Sequence, residues 1–183
     1  MSRLRRLQRS YVNYIAVPWR EEVAPPLRVI FCVYREQDER RLRLAIHEFG
    51  IATHNAGHRW HLFDLTDTFP EWLVAQRYAN SYYKRPDLLD TLLPRYLGFI
   101  EERFATFLQE HAVDSDTVVA LHGVGTIFGL LRVSELADRL APMFSGRLVV
   151  FFPGSCEANN YRLLNAYDGW NYLATPITGG DEI

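Results

Sequence analysis

Five short, mostly apolar runs along the chain predict β-strands, because they are rich in β-branched, aromatic and aliphatic side chains. They are residues 28–34, 60–65, 118–121, 148–152 and 171–175, and the last is predicted to be an edge strand. Helical patterns separate most of these runs, which favours parallel pairing with right-handed crossovers. The sequence therefore predicts an α/β fold, a three-layer sandwich with a mostly parallel sheet of about five strands flanked by helices.

The amphipathic stretches indicate where the helices lie. Residues 3–15 place Leu4, Leu7, Tyr11 and Tyr14 on one stripe, which predicts a helix before Pro18. A second helix follows the first strand and is ended or interrupted at Gly50 or Gly57. Residues 69–83 and a long run after Asp87 are also helical in pattern, with a kink or break expected at Pro94. We interpret residues 1–183 as a single α/β domain that begins with the 3–15 helix.

Composition places the chain among ordinary globular proteins and predicts a cytoplasmic location. Of 183 residues, 48% are hydrophobic and 23% charged. Cys32 and Cys156 are too few for a disulfide framework, so we expect both to be reduced. No apolar signal core follows the first residues, and no segment has the apolar length of a membrane span.

The basic residues are almost all arginine, and four of them lie close together in the first helix. A net charge of −2 and a pI of about 6.3 give no overall attraction to nucleic acid. We predict that any DNA contact is weak and made by the arginines that lie away from the apolar stripe, Arg3, Arg5, Arg6 and Arg9. A partner contact or a solvated helix face is the alternative for these side chains.

Two glycine-containing corners follow predicted strands and supply the candidate ligand-binding residues. They are His122, Gly123, Gly125 and Thr126 after the third long strand, and Gly154 and Ser155 after the fourth. Carboxyl ends of parallel strands share one edge of a sheet, where α/β proteins bind ligands, and Tyr34 and Asp64 are expected there too. Tight turns alone would also explain the glycines.

Residue types that the common catalytic motifs require are missing. No lysine follows Gly123–Gly129, and the chain has one lysine, Lys84, so a phosphate-binding P-loop is excluded. The third glycine of a dinucleotide fingerprint is wrongly spaced, and no G-x-S-x-G elbow is present. Cys156 has no identifiable base partner, so we assign no catalytic residue.

No metal site or cofactor is predicted. His54, His58 and His61 would share a face only on a continuous helix, and Gly57 lies between them. Asp67 and Glu71 follow Asp64 and could ligate magnesium, but they suit the beginning of the next helix better.

Four sequence blocks resemble the BrxB family of BREX bacteriophage-defence systems. They are Leu121–Phe128, Arg132–Leu136, Val150–Gly154 and Asn171–Tyr172. The resemblance implies a cytoplasmic subunit that works beside the alkaline-phosphatase-like PglZ protein, the ATPase BrxC and the methyltransferase PglX. It implies no catalytic residue.

Two functional hypotheses remain open at this point. The first is a non-enzymatic docking subunit of a BREX-type complex, with other BREX proteins as partners and PglZ foremost; Tyr82, Tyr83 and Tyr161 are its predicted interface anchors. The alternative is a small nucleotide- or phosphoester-binding enzyme that uses the Gly123–Gly129 and Pro153–Ser155 loops.

Overall fold

The computed structural model describes residues 2–20, 22–166 and 169–180. Its helices are α1 (Arg3–Ile15), α2 (Glu39–Asn55), α3 (Thr68–Val74), α4 (Ala79–Lys84), α5 (Leu93–Glu110) and α6 (Val133–Leu140). Its strands are β1 (Val29–Tyr34), β2 (Arg59–Asp64), β3 (Thr117–His122), β4 (Arg147–Glu157), β5 (Asn160–Leu163), β6 (Trp170–Asn171) and β7 (Thr175–Thr178). Short 3-10 turns, among them Val124–Ile127 and Pro86–Leu89, connect several of these elements.

Five strands form a parallel sheet in the order β2-β3-β4-β1-β7. Strand β4 continues beyond its neighbours and pairs antiparallel with β5, which in turn pairs with β6. The helices lie on both faces of the sheet, so the predicted α/β fold class is confirmed.

The two faces of the sheet bury two separate apolar cores, because alternate side chains of each strand point to opposite sides. On one face, α1 and α2 pack Tyr11 and Phe49 against Ile30, Cys32 and Phe151. On the other, α3, α5 and α6 cover the set that includes Phe31, Val119 and Phe152. Within the residues described, no helix combines the length and the apolar character needed to cross a bilayer.

Two local predictions are corrected by the structure, and a third, at Pro94, is confirmed. The last strand lies at Thr175–Thr178 and not at 171–175, where the chain forms only the two-residue β6 and a connection. Pro153–Ser155 is not a turn, because it lies inside β4. The helical run after Asp87 is broken near Pro94, as expected: α5 begins at Leu93, and Pro94 lies in its first turn, where no intrahelical N–H is required.

Gly154→Ala should destabilise the fold, because a Cβ at this position would collide with the backbone oxygen of Arg162 on β5. We expect a loss on the order of 2 kcal/mol in the free energy of unfolding, measured by urea denaturation. Gly98→Ala is the matched control, since nothing lies within 4 Å of a Cβ there and alanine favours the α5 helix. Equal effects of the two substitutions would contradict the close β4–β5 packing.

Candidate functional site

The carboxyl ends of the parallel strands bring three polar side chains to one edge of the sheet. Tyr34 ends β1, Asp64 ends β2 and His122 ends β3. The strand register places Asp64 directly beside His122 and Tyr34 beside Pro153 of β4. The predicted gathering of these residues at one edge therefore occurs, and this edge is the candidate site.

His122 is buried between two carboxylates. Its side chain is 7% exposed, with Nδ1 3.4 Å from Asp64 Oδ1 and Nε2 3.6 Å from Glu39 Oε1. Nε2 has no hydrogen-bond partner among the described residues, so its contact with Glu39 is one of proximity. The imidazole thus links the ends of β2 and β3 to the first turn of α2.

Glu39 is the centre of the hydrogen-bonding network around this histidine. Its carboxylate accepts hydrogen bonds from the Tyr34 hydroxyl and from Arg43 Nε, the latter at 2.8 Å. The proximity of His122 is the largest cause that lowers the pKa of Glu39, and with Tyr34 and Arg43 it outweighs burial, giving a value of about 2. Burial, reinforced by Glu39, raises the pKa of Tyr34, so this phenol stays protonated.

Asp64 is held in place by the residues that follow its own strand. Its Oδ1 accepts hydrogen bonds from the amide and the hydroxyl of Thr66, at 2.8 and 2.5 Å. Burial raises the pKa of Asp64, but these bonds and the nearby His122 and Arg43 outweigh it, so the pKa is lowered. Asp64 therefore orients His122 as an ionised carboxylate.

Gly123 is required by packing at this corner. Its φ of +78° is in the left-handed region, and a Cβ would lie 2.6 Å from Thr66 Oγ1 and 2.7 Å from Thr66 N. Gly125 has no such constraint, because a Cβ there would meet Pro153 at an ordinary 3.5 Å. The absence of a side chain at Gly123 thus allows the loops that follow β2 and β3 to pack closely together.

A cavity of about 230 Å³ lies over this network. Thr126, whose hydroxyl donates to Gly123 O at 2.7 Å, is on its rim. The charged side chains of its wall are two carboxylates, Glu36 and Glu39, and one guanidinium, Arg43. This balance suits a small neutral or cationic group and disfavours a phosphate. The complete lining is Glu36, Glu39, Arg43, Gly123, Gly125, Thr126, Pro153 and Leu164.

The structure divides the predicted ligand-binding residues into two groups. Gly123, Gly125 and Thr126 line the cavity, whereas His122 does not line it and lies next to Glu39, which does. Gly154 and Ser155 lie farther along β4, where they pair with Leu163 and Arg162 of β5. They line a different recess, which also contains Arg35 and Cys156.

The three spaced histidines do not converge. His54 is in α2, while His58 Nδ1 lies 2.6 Å from Asp116 Oδ1 and its ring stacks on Trp19. His61 is in β2, with its ring centroid 4.7 Å from that of His111. Within residues 2–20, 22–166 and 169–180, no three His, Cys, Asp or Glu side chains are grouped to hold a metal ion.

One predicted interface anchor is wrong. Tyr161 is completely buried, and its hydroxyl donates to Ala174 O at 3.3 Å, so it cannot meet a partner. Tyr82 is half-buried against the core, whereas Tyr83 is 59% exposed. Tyr161 was misjudged because its polar neighbours in sequence face away from the apolar side of β5.

The N-terminal arginines do not form one open basic face. Arg6 Nε donates to Gly179 O at 2.6 Å, and Arg3 packs against Gly179 as well. Arg5 and Arg9 are exposed. The expectation that all four share a free face is therefore wrong, because α1 lies beside β7 and its connection.

Sequence reasoning missed Glu39 and Arg43 at the carboxyl edge. Their polarity fits the solvated face of α2, so the sequence pattern alone does not single them out. The available signal was distance along the chain: a helix that begins within one turn of a strand end returns its first turn to that edge. Exposed apolar residues around α4 were missed as well: Val74, Tyr78 and Leu88.

Comparison with known proteins gives one match. The model of a family described as "BREX protein BrxB" matches residues 74–176, which is more than half of the chain. No curated protein and no solved structure matches. The matched segment contains β3, the Gly123 corner and all of β4, but not Glu36, Glu39 or Arg43.

The lowered pKa of Glu39 predicts how stability changes with pH. Its ordinary pKa is 4.5 and its folded pKa is about 2, so its contribution is complete above about pH 4.5 and is lost as the pH falls towards 2. Glu39→Gln should remove part of this dependence, on the order of 1 kcal/mol after allowance for solvent screening. Unfolding free energies from urea denaturation between these pH values measure it.

Glu36→Gln is the control for this experiment. Glu36 has a single described hydrogen bond, from the neighbouring Gln37 side chain. The unfolding free energy of Glu36→Gln should therefore change with pH in the same way as that of the wild type. A Glu39→Gln curve that runs parallel to the wild-type curve throughout the range would contradict the network.

Proposed function

The chain belongs to the BrxB family, and we propose that it is a non-enzymatic docking subunit of a BREX-type bacteriophage-defence complex. The observation that carries this proposal is the match of the BrxB family model to residues 74–176. Membership makes the chain a component of a BREX system and thereby links it to antiviral defence. The docking role, the identity of the partner and the cytoplasmic location are parts of the proposal.

A surface of exposed apolar side chains supports a docking role. Val74, Tyr78, Tyr83 and Leu88 are between 39% and 68% exposed, and all lie within the matched segment; we call them the 74–88 surface. Tyr82 of α4 and Leu89 of the following turn pack partly against the core, but the four residues of the 74–88 surface do not, so the core does not explain their apolar character. Tyrosine is among the residues enriched at interface hot spots.

A groove built from the same segment offers a second apolar feature. It encloses about 540 Å³ between the first turn of α5, the loop 128–132 and Trp170. Phe128 stands 45% exposed at its side, and Asp90, Arg132 and Glu135 give it a polar rim. An apolar floor with a polar rim is the usual arrangement of a protein interface.

The carboxyl-edge cavity supports the phosphoester-binding alternative less well. Its charged wall is mainly acidic, and His122 lies beneath Glu39 and is almost entirely buried. Ser155 is exposed on β4, and no described hydrogen bond joins it to a histidine or carboxylate base. These features agree with a structural role for the network.

Among BREX proteins we propose the PglZ phosphatase-like protein as the partner, with BrxC and PglX as the alternatives to test beside it. Tyr83→Ala together with Tyr78→Ala should weaken binding to the partner by on the order of 2 kcal/mol or more, about thirtyfold in Kd. Pull-down and biolayer interferometry against each purified BREX protein measure the change, and phage restriction in cells gives its consequence.

Leu44→Ala is the matched control for the tyrosine pair. Leu44 is 74% exposed on α2, outside the matched segment, so its truncation should leave binding and restriction unchanged. Unaltered binding to all three proteins by the folded tyrosine variant would reject the 74–88 surface. If Glu36→Gln abolishes restriction while assembly is intact, the cavity has a chemical role and docking alone is refuted.

DNA contact remains part of the proposal only for the two exposed arginines of α1. The double substitution Arg5→Gln and Arg9→Gln should reduce the salt dependence of DNA binding. The magnitude of the slope of log binding constant against log salt concentration should fall by about 2, since each phosphate contact contributes about 0.9. Salt titrations with duplex DNA measure this, and Arg40→Gln on α2 is an exposed control. Binding that persists at high salt, or that the double substitution leaves unchanged, would exclude this surface.

A further inference from the structure

Two arginines lie side by side at the opposite, amino edge of the sheet. Arg28 immediately precedes β1 and Arg147 opens β4, and the register pairs Val29 with Leu148. Both side chains are buried, at 9% and 7% exposed. The Arg28 guanidinium donates to Phe144 O at 2.6 Å and to Ala141 O at 3.4 Å, so it holds the connection before β4 in place.

Arg147 has a less complete set of partners. One N–H donates to Arg20 O at 3.1 Å, and its Cζ lies 4.7 Å from the centroid of the Trp19 ring. No carboxylate of the described residues forms an ion pair with it. Burial lowers the pKa of Arg147 and Arg28 adds to this effect, while Tyr14, which lines the same cavity, opposes it without reversing the direction. A buried cation without a counter-charge is unfavourable until an anion pairs with it.

The guanidinium lines a cavity that has apolar walls. The space is about 370 Å³, and Val17, Val23 and Leu27 form part of its sides. Val17 and Leu27 are more than half exposed, so they are available to an incoming apolar group. Trp19 also lines the cavity, and its buried Nε1–H has no hydrogen-bond partner among the described residues. The cavity therefore contains one buried cation that lacks an ion-pair partner and one buried N–H that lacks an acceptor, both among the described residues.

From this combination we infer that the amino-edge cavity binds a carboxylate that is attached to an apolar group. The planar guanidinium of Arg147 is complementary in shape to a carboxylate, and one carboxylate balances its single positive charge. The apolar walls provide for the rest of the ligand, as in most small-ligand sites. A free aliphatic acid and an acidic residue beside an apolar residue of another protein share this chemistry. The inference is independent of the 74–88 surface, which lies on other elements.

The experiment is a nuclear magnetic resonance titration of the full-length ¹⁵N-labelled protein. One arm uses isocaproate, with the neutral isocaproamide for comparison, and the other uses acetyl-Leu-Glu-Leu-amide, with its Gln analogue for comparison. We expect a saturable shift of the Trp19 indole N–H with Kd of about 1 mM for a charged probe, and at least a tenfold weaker effect of its neutral counterpart. Trp19→Phe identifies the indole signal.

Arg147→Gln should weaken binding of the charged probe at least tenfold, whereas Arg5→Gln, at an exposed arginine, should leave it unchanged. Binding of isocaproate points to a free acid, and binding of the peptide alone points to a partner protein; either supports the inference. No saturable shift with either charged probe overturns it, as does equal binding of the neutral analogues or of folded Arg147→Gln. If Arg147→Gln does not fold, the Trp19→Phe variant replaces it, and its binding is measured from the shifts of the Val17 and Val23 backbone amides. Binding as tight as wild type would then overturn the inference.

Discussion

The parallel pairing of β1 with β4 is the contact on which the architecture depends. All six residues of β1 are buried, and β4 is buried from Arg147 to Pro153, so both strands need helices on both faces. The first face is covered by α1 and α2, and the second by α3, α5 and α6. This double coverage explains why the chain alternates strands with helices and why its aromatic content is largely internal. It also fixes which ends of the strands meet at each edge.

The two edges of the sheet use charge in different ways. At the carboxyl edge, Glu39 and Asp64 flank His122, and the Glu39 carboxylate is paired with Arg43 within the protein. At the amino edge, Arg28 and Arg147 rely on backbone carbonyls and an aromatic ring. The Glu39–Arg43 pair stabilises the carboxyl edge from within, whereas Arg147, which forms no ion pair with any residue that the structure describes, leaves capacity for an external anion. The edge expected to hold a ligand is therefore the better satisfied of the two.

Much of the fold could be predicted from the sequence, because buried parallel strands are continuous apolar runs with a strong local signal. The runs at 28–34, 118–121 and 148–152 correspond to β1, β3 and the first part of β4. The extension of β4 to Glu157 could not be predicted, since it depends on pairing with β5 and Pro-Gly normally indicates a turn. The β6–β7 boundary was displaced for a similar reason: β7 is defined by pairing with β1, about 145 residues earlier.

The candidate site was predictable by position but not in composition. Parallel topology alone places Tyr34, Asp64 and His122 at one edge. Their partners Glu39 and Arg43 come from a helix face whose orientation is decided by tertiary packing. The burial of Tyr161 likewise results from its stacking on Trp170 and contact with Phe31, neither of which is local in sequence.

The strand order also has a consequence for synthesis of the protein. Both neighbours of β1 are late elements, since β4 begins at Arg147 and β7 at Thr175. While the ribosome makes the intervening residues, the most apolar strand of the N-terminal half has no partner on either side. Contacts of such long sequence separation form slowly and leave strand edges open to association with other chains. The nascent chain therefore depends on early coverage of β1 by α1 and α2, and ribosome-bound chaperones have their longest opportunity to bind at residues 29–34.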